Sequence, residues 1–386
     1  MDILSKIDEF KDEIIRIRRH IHEYPDLSGE EKATRDFLKL ILENASIKCK
    51  TFENHYALVC DIIVDEKEPF IAFRADMDAL PIKEENNKPY ASKKDGVMHA
   101  CGHDGHCAIL AGVMLFLNKY KHLLKKNIRA IFQHKEEVFE GGSVDLIKDG
   151  VLEGVEKIYG LHMYPYLKTG EIGYKYGEMM ASADMFEIEI FGKSAHGARP
   201  HEGVDAILVA SSVVGAINHI VSRRIDPLHP AVISFGTING GKAANIISDY
   251  VKLSGTVRTL NDKIRNSIKE MISKAVREIC DSYDAKGKMH YYYGNSELVN
   301  HKECVDDIIK AAKKLNIKAV DLKTPVMGGE DFAEYLKVVK GAYFRLGCCN
   351  EKKNTCYPQH HPKFDIDEDS LIIGAKILAA LALEAV

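Results

Sequence analysis

The sequence predicts an α/β fold: a mostly parallel sheet with helices on both faces, interrupted by an inserted ferredoxin-like α+β domain. Three observations carry this reading. Between residues 56 and 162 short apolar runs alternate with stretches of helical periodicity, as in a parallel sheet wrapped by helices. From about 184 to 294 the order becomes β-α-β-β-α-β, that of a small split sandwich. After 295 a helix, a Gly-rich turn, a strand and a closing helix resume the first rhythm. The α/β domain therefore comprises residues 1–182 and 295–386, and the insertion residues 183–294.

The elements follow in order. The start, "MDILSKIDEFKDEIIRIRRHIHEYPDLSGEE", mixes charges with Ile and Phe at helical spacing, predicting an amphipathic surface helix and no signal peptide. "ALVCDIIV" and "FIAFRAD" read as strands, "GHCAILAGVMLFLNKY" as a helix, "NIRAIFQH" as a strand, "GGSVDLIKDG" as a helix, and "EKIYGLH" as a strand ending at His162. In the insertion "DMFEIEIFG", "AVISFGTI", "DYVKLSGTVRT" and "KMHYYYG" are strands, while "VDAILVASSVVGAINHIVS" and "DKIRNSIKEMISKAVREICDSY" are helices. A helix near 303–315, the turn "VMGGEDFAEYL", the strand "GAYFRLG" and the closing helix "SLIIGAKILAALALEAV" complete the chain; the last is broken by Lys376 and too short to span a membrane.

At 386 residues the chain is long enough for real cores, and a formal charge of −4 with interspersed signs advertises no attraction to nucleic acid. Neither nucleic acid nor membrane is an expected partner. Nine cysteines, an odd number without the rhythm of a disulfide scaffold, predict thiols used singly in a reducing, cytoplasmic setting.

Polar residues collect at one kind of position. Asp76 and Asp78 follow the strand "FIAFR", Glu136 and Glu137 follow "RAIFQ", and His162 closes "KIYGL". These are carboxyl ends of parallel strands, where open α/β sheets bind ligands. "MHACGHDGHC" (98–107) runs into a helix N-terminus on the same side. Cys101 and His103, two apart, can both face a cation from a tight turn, and Glu137 and His162 add ligands from neighbouring strands. Such a donor set suits zinc or manganese, with cobalt or nickel as alternatives, whereas calcium and magnesium prefer oxygen shells. Of two adjacent glutamates, one can bind metal while the other faces substrate. The competing readings are a Cys101 nucleophile, which leaves the glutamates without a task, and a packed Cys101 with a helix-capping histidine.

These residues resemble the dinuclear metallohydrolases related to aminoacylase and glutamate carboxypeptidase, in the amidohydrolase branch of hippurate hydrolases, indole-acetyl-amino-acid hydrolases and N-acetyl-diaminopimelate deacetylases. The matching stretches are "RRHIHEYPDLSGEE", "FRADMDALP", "MHACGHDGH", "EEVFEGG", "GLHMYP", "GKSAHGARPHEGVDAI", "GGKAANIISD", "GTVRT", "GGEDFA" and "HHPKFDID", in the family's order over nearly the full length. The resemblance implies two divalent ions held by Cys101, His103, Glu137, His162 and His360, with Glu136 as general base and Asp76, or Asp78, as the acid that tunes it. It implies that the inserted domain is a lid and the surface of a homodimer or homotetramer, that its His196 stabilises the oxyanion, and that Asn245 and Arg258 grip the substrate carboxylate. The expected activity is hydrolysis of N-acyl-L-amino acids of acetyl, benzoyl or indole-acetyl type. A dipeptidase or carboxypeptidase with the same centre, a cysteine amidase and a catalytically silent metal-binding protein are the alternatives. Two departures stand out: His134-Lys135 replace the usual Pro-Ala before the glutamates, and His361 follows His360 where a small residue is usual.

Overall fold

This computed structural model describes residues 3 to 384. They form two compact units. One takes in the chain up to Gly177, Val299–Thr324 and the chain from Asp331; the other takes Glu178–Leu298 and Pro325–Glu330.

The first unit opens with a 3-10 turn (Ile3–Phe10) running into α1 (Lys11–Glu23), then α2 (Lys32–Asn44), β1 (Lys48–Thr51), β2 (Leu58–Ile62), β3 (Phe70–Asp76) and α3 (His103–Lys119). It continues through β4 (Asn127–Gln133), α4 (Ser143–Lys148), β5 (Val155–Lys168) and β6 (Glu171–Tyr174), and β7 (Gly177–Met180) leads out of it. The second unit contains β8 (Ser182–Phe191), β9 (Ala195–His196), α5 (Ala206–Arg224), β10 (Ala231–Gly240), β11 (Ile246–Ile247), β12 (Tyr250–Thr259), α6 (Asp262–Ser282) and β13 (Lys286–Tyr292). The chain returns through β14 (Leu298–Asn300), α7 (Lys302–Lys314), β15 (Lys318–Asp321), α8 (Phe332–Leu336), β16 (Lys340–Cys349) and α9 (Asp369–Glu384).

The large sheet has the order β1-β2-β4-β3-β5-β16-β6-β15. Its centre is parallel: β3 pairs with β4 and β5, and β16 with β5, while β1, β2 and β6 attach antiparallel. Central parallel strands are covered on both faces, which is why β3 and β4 are buried almost throughout instead of alternating. Helix α3 is apolar around most of its circumference because it is a core helix. At Gly112 a Cβ would stand 2.2 Å from Ile14 Cγ1, so α1 lies directly on α3 there.

Register sets the site. Asp76 at the end of β3 pairs with Gln133 at the end of β4, so residues 134–137 emerge beside Asp76 and Asp78. Strand β5 does not end at His162 as the sequence suggested; it runs on to Lys168 because β16 keeps pairing with it. The pairing of β5 with β3 stops at Gly160 opposite Arg74, and two residues on His162 comes level with Asp76 at the end of β3.

The second unit is an antiparallel sheet of order β10-β12-β8-β13 with α5 and α6 packed on it, the ferredoxin-like order. Both helices are capped from the sequence: Asp205 Oδ1 accepts from Ile207 N at 2.9 Å, and Asn261 Oδ1 from Lys263 N at 3.0 Å. By length and composition α5 could cross a membrane, but its Val209, Val213 and Ile217 are buried in this unit's core.

The expectation of unpaired thiols is corrected. Cys49 and Cys60, directly opposed on β1 and β2, form one disulfide, and Cys349, at the end of β16, forms another with Cys356. Cysteine parity could not show this, because five other cysteines remain free.

Candidate metal centre

The turn before α3 is made by Gly102 at φ +95°, a left-handed conformation that L side chains rarely adopt, and a Cβ there would meet Met163 Cβ at 2.8 Å. It turns Cys101 and His103 toward one space. Cys101 Sγ lies 3.4 Å from His162 Nε2. His103 Nδ1 is 2.8 Å from the carbonyl of Asp78, which can only accept, so Nδ1 carries the proton and Nε2 is left as a lone-pair donor. Likewise His162 Nδ1 donates to Met163 O at 2.8 Å, freeing its Nε2. His103 Nε2 is 3.8 Å from Glu137 Oε1, and His360 Nε2 reaches the same oxygen at 3.3 Å.

The potential ligand atoms fall into overlapping groups with every member within 4.8 Å of the others: Cys101, His103 and His162; Cys101, Glu137 and His360; His103, Glu136 and Glu137. All five proposed ligands, and the glutamate proposed as base, thus meet in one place. His103 Nε2, Glu137 Oε1 and Asp78 Oδ1 are buried without a hydrogen-bond partner. Each such orphan costs on the order of 1–3 kcal/mol, a cost that cations bound there would relieve. The donors therefore fit a divalent centre.

The charges agree. Burial pushes the Cys101 thiol well above the usual range, and Glu137 and Glu136 push it further, so a reactive free thiolate is disfavoured. Burial pulls on His103, yet Asp76, Asp78 and Glu137 outweigh it and lift this imidazole to about 10, so the surrounding carboxylates favour positive charge at Nε2, which a bound cation would supply in place of the proton. Burial opposes ionisation of Asp76, but Arg74, His103 and His106 hold its carboxyl well below the ordinary value. Burial, then His106 and Arg345, keep His162 far below the ordinary imidazole value and so neutral, as a ligand must be.

The two aspartates have different partners. Asp76 accepts from Arg74 and from His106 Nδ1 and lies 3.7 Å from His103 Nε2. Asp78 accepts from Ser28 Oγ at 2.6 Å and from the backbone N–H of Glu137 at 2.9 Å. His361 points elsewhere, stacked on Tyr357 with its Nδ1 accepting from Lys363 N. His196 and Asn245 come together in the second unit, where Ile246 pairs with His196 and Gly197 N donates to Asn245 O; His196 is exposed. Arg258 is half-buried on β12, its Nε on Thr256 Oγ1 at 3.1 Å.

Several residues here escaped the sequence reading. His106, one helical turn after His103, accepts from Met163 N through Nε2 at 2.9 Å, so both its nitrogens are engaged. Its i, i+3 spacing from His103 was the available signal. Arg74 and Gln133 hold Asp331 Oδ1 and Oδ2 at 2.7 and 2.6 Å. The fully buried Arg18 binds Asp104 at 2.7 Å and Asp365 at 2.8 Å, anchoring α1 to the start of α3 and the segment after His360. No sequence periodicity marks such long-range pairs.

A parallel sheet carrying a thiol, imidazoles and carboxylates at its carboxyl edge defines a class, the metallohydrolases of α/β architecture. Residues 72–384 match the family described as Peptidase family M20/M25/M40. The chain is 39% identical over 366 residues to an N-acetyl-L-cysteine deacetylase of Bacillus subtilis, covering 95% of this chain and 86% of that one. It is 38% identical to thermostable carboxypeptidase 1 of Saccharolobus solfataricus, covering 100% and 99%. A crystal structure from Bacillus subtilis, described as a dinuclear metal-binding peptidase from the M20 family, superposes with a TM-score of 0.85 at 34% identity, covering 97% and 98%. The protein belongs to peptidase family M20/M25/M40.

Proposed function

We propose that this protein is a metal-dependent amidohydrolase that cleaves the amide bond of N-acyl-L-amino acids. The observation that carries this is the convergence of Cys101, His103, Glu137, His162 and His360 beside Glu136. In this reading those five side chains hold two divalent ions, zinc or manganese. When bound, the ions supply Lewis-acid polarisation of the scissile carbonyl and lower the pKa of water. Glu136 takes the proton from the attacking water and passes it to the departing amine nitrogen. Asp78, bonded to Glu137 N and carrying His103 on its carbonyl, is the aspartate tied to the glutamate segment, while Asp76 acts through His103 and His106. For His196 as oxyanion donor and for Asn245 and Arg258 as partners of the substrate carboxylate, the support is their sequence motif. The homodimeric or homotetrameric assembly rests on the same ground.

Glu136→Gln is expected to lower kcat by about 10²–10⁴-fold while the metal content stays at the wild-type level. An active variant would remove the assigned base. The likeness to a carboxypeptidase sustains a second reading, peptide cleavage at the same centre. Assays on acetyl-, benzoyl- and indole-acetyl-amino acids and acetyl-diaminopimelate against dipeptides and N-blocked peptides separate the two.

A further inference from the structure

The segment bearing Glu136 is gripped from outside on both flanks. On one side Glu137 N donates to Asp78 Oδ2 at 2.9 Å. On the other Lys135 N donates to Glu31 Oε1 at 2.8 Å, and the same oxygen takes Gly29 N at 2.8 Å. Lys135 stands at φ +59°, uncommon for a residue with a side chain, so this backbone needs outside partners to stay as it is. Glu31 is completely buried. Its loop is fixed to the end of β3: Leu27 bridges Ala79, Ala79 N donates to Asp26 O, and Ser28 Oγ donates to Asp78. Gly29, at φ +81°, makes the turn that brings its own N–H onto Glu31. One loop, residues 26–31, therefore reaches both flanks of the glutamate pair.

We propose that Glu31 is a positioning residue for Glu136, acting as a fixed acceptor that locks the Lys135 backbone and so aims the base. The inference rests on the amidohydrolase reading. Its chemistry is that of an acceptor, not of a charge. The second oxygen, Oε2, is buried without a hydrogen-bond partner. Burial, with Asp78 adding to it against the pull of the Gly29 and Lys135 N–H groups, lifts this carboxyl to about 7. A neutral side chain of the same length is thus close to what the site already tolerates.

The test is a set of three variants, each measured for kcat, KM and bound metal on an N-acetyl amino acid. Glu31→Gln keeps an oxygen on Lys135 N and Gly29 N and is expected to stay within about threefold of wild-type kcat. Glu31→Ala loses the acceptor and Glu31→Asp cannot reach, so both are expected to lose about 10–100-fold in kcat, with KM within about threefold and metal content unchanged, because misplacing a catalytic group by about 1 Å costs on that order. Asp retains the buried carboxylate and so covers the case in which Ala does not fold. Wild-type kcat in the Ala or Asp variant, or an active Asp variant beside a crippled Gln variant, would overturn the proposal. An inactive wild type, or an active Glu136→Gln, would sink the amidohydrolase reading instead.

Discussion

His134 lies flat against His55, ring centroids 4.3 Å apart and planes at 5°, and Phe52 stacks on His55 from the other side. Burial, then the neighbouring His55, pull the His134 imidazole down to about 4, against the attraction of Asp145. An unfolded histidine titrates near 6.5, so the unfolded chain binds the proton first. Above that value His134 contributes its full share of stability; as pH falls from about 6.5 toward 4 that share is lost, on the order of 3 kcal/mol. Glu31, whose carboxyl is raised, works in the opposite sense, stabilising at low pH and losing that contribution as pH climbs through about 7. The bare pH slope is therefore a sum, and the comparison with His134→Gln isolates the histidine. Urea melts at pH 7.5 and pH 5 are expected to show a smaller acid loss in the variant; equal losses would contradict the assignment. At this scale the proposed ligands were legible as a cluster because Cys101, His103, Glu137 and His162 have chemistry that loops seldom collect by chance, and the structure brings them together. Glu31, His106 and Arg74 were not, since their roles depend on backbone N–H groups and partners distant in sequence.

Among the elements, α1 shows why a surface helix can matter to a site. One stripe, Ile14, Ile17 and Ile21, faces the core, and Arg18 lies on the same side, paired with Asp104 in the first turn of α3. That turn also begins with His103, so the ion pair holds a proposed ligand's helix in place. Replacing Arg18 by Leu would remove the buried guanidinium shared by Asp104 and Asp365, leaving Asp104 to His22 and Asp365 to the half-exposed Lys88, and is expected to cost about 3–5 kcal/mol in urea unfolding. A loss below about 1 kcal/mol would mean the network is incidental. Among the long elements α6 was readable from its apolar spacing, and α3 and the core strands from uninterrupted apolar runs. The four-residue strands β1, β6 and β15 were not, since four residues carry too few repeats to reveal a period. Helix α2 went unread although Thr34, Leu38 and Leu42 form a buried stripe at i, i+4, i+8; the charges around that stripe masked it.

For the whole molecule, the order of elements foretold the architecture because α/β and ferredoxin-like topologies are largely fixed by which element follows which. Pro325–Glu330, which join the second unit, carried no such signal: a six-residue return has no period of its own. The centre draws on separated parts of the first unit: the turn before α3, the segment after β4, β5 and the loop after β16. In the proposed function these parts assemble one two-ion centre with sulfur among its ligands. Titration of metal-free protein with Co²⁺, followed by the sulfur-to-cobalt charge-transfer absorption, tests it most directly. Saturation is expected at two equivalents per chain, with loss of that band in Cys101→Ser and recovery of N-acyl-amino-acid hydrolysis in step with loading. Saturation below one equivalent, or an undiminished band in Cys101→Ser, would contradict it.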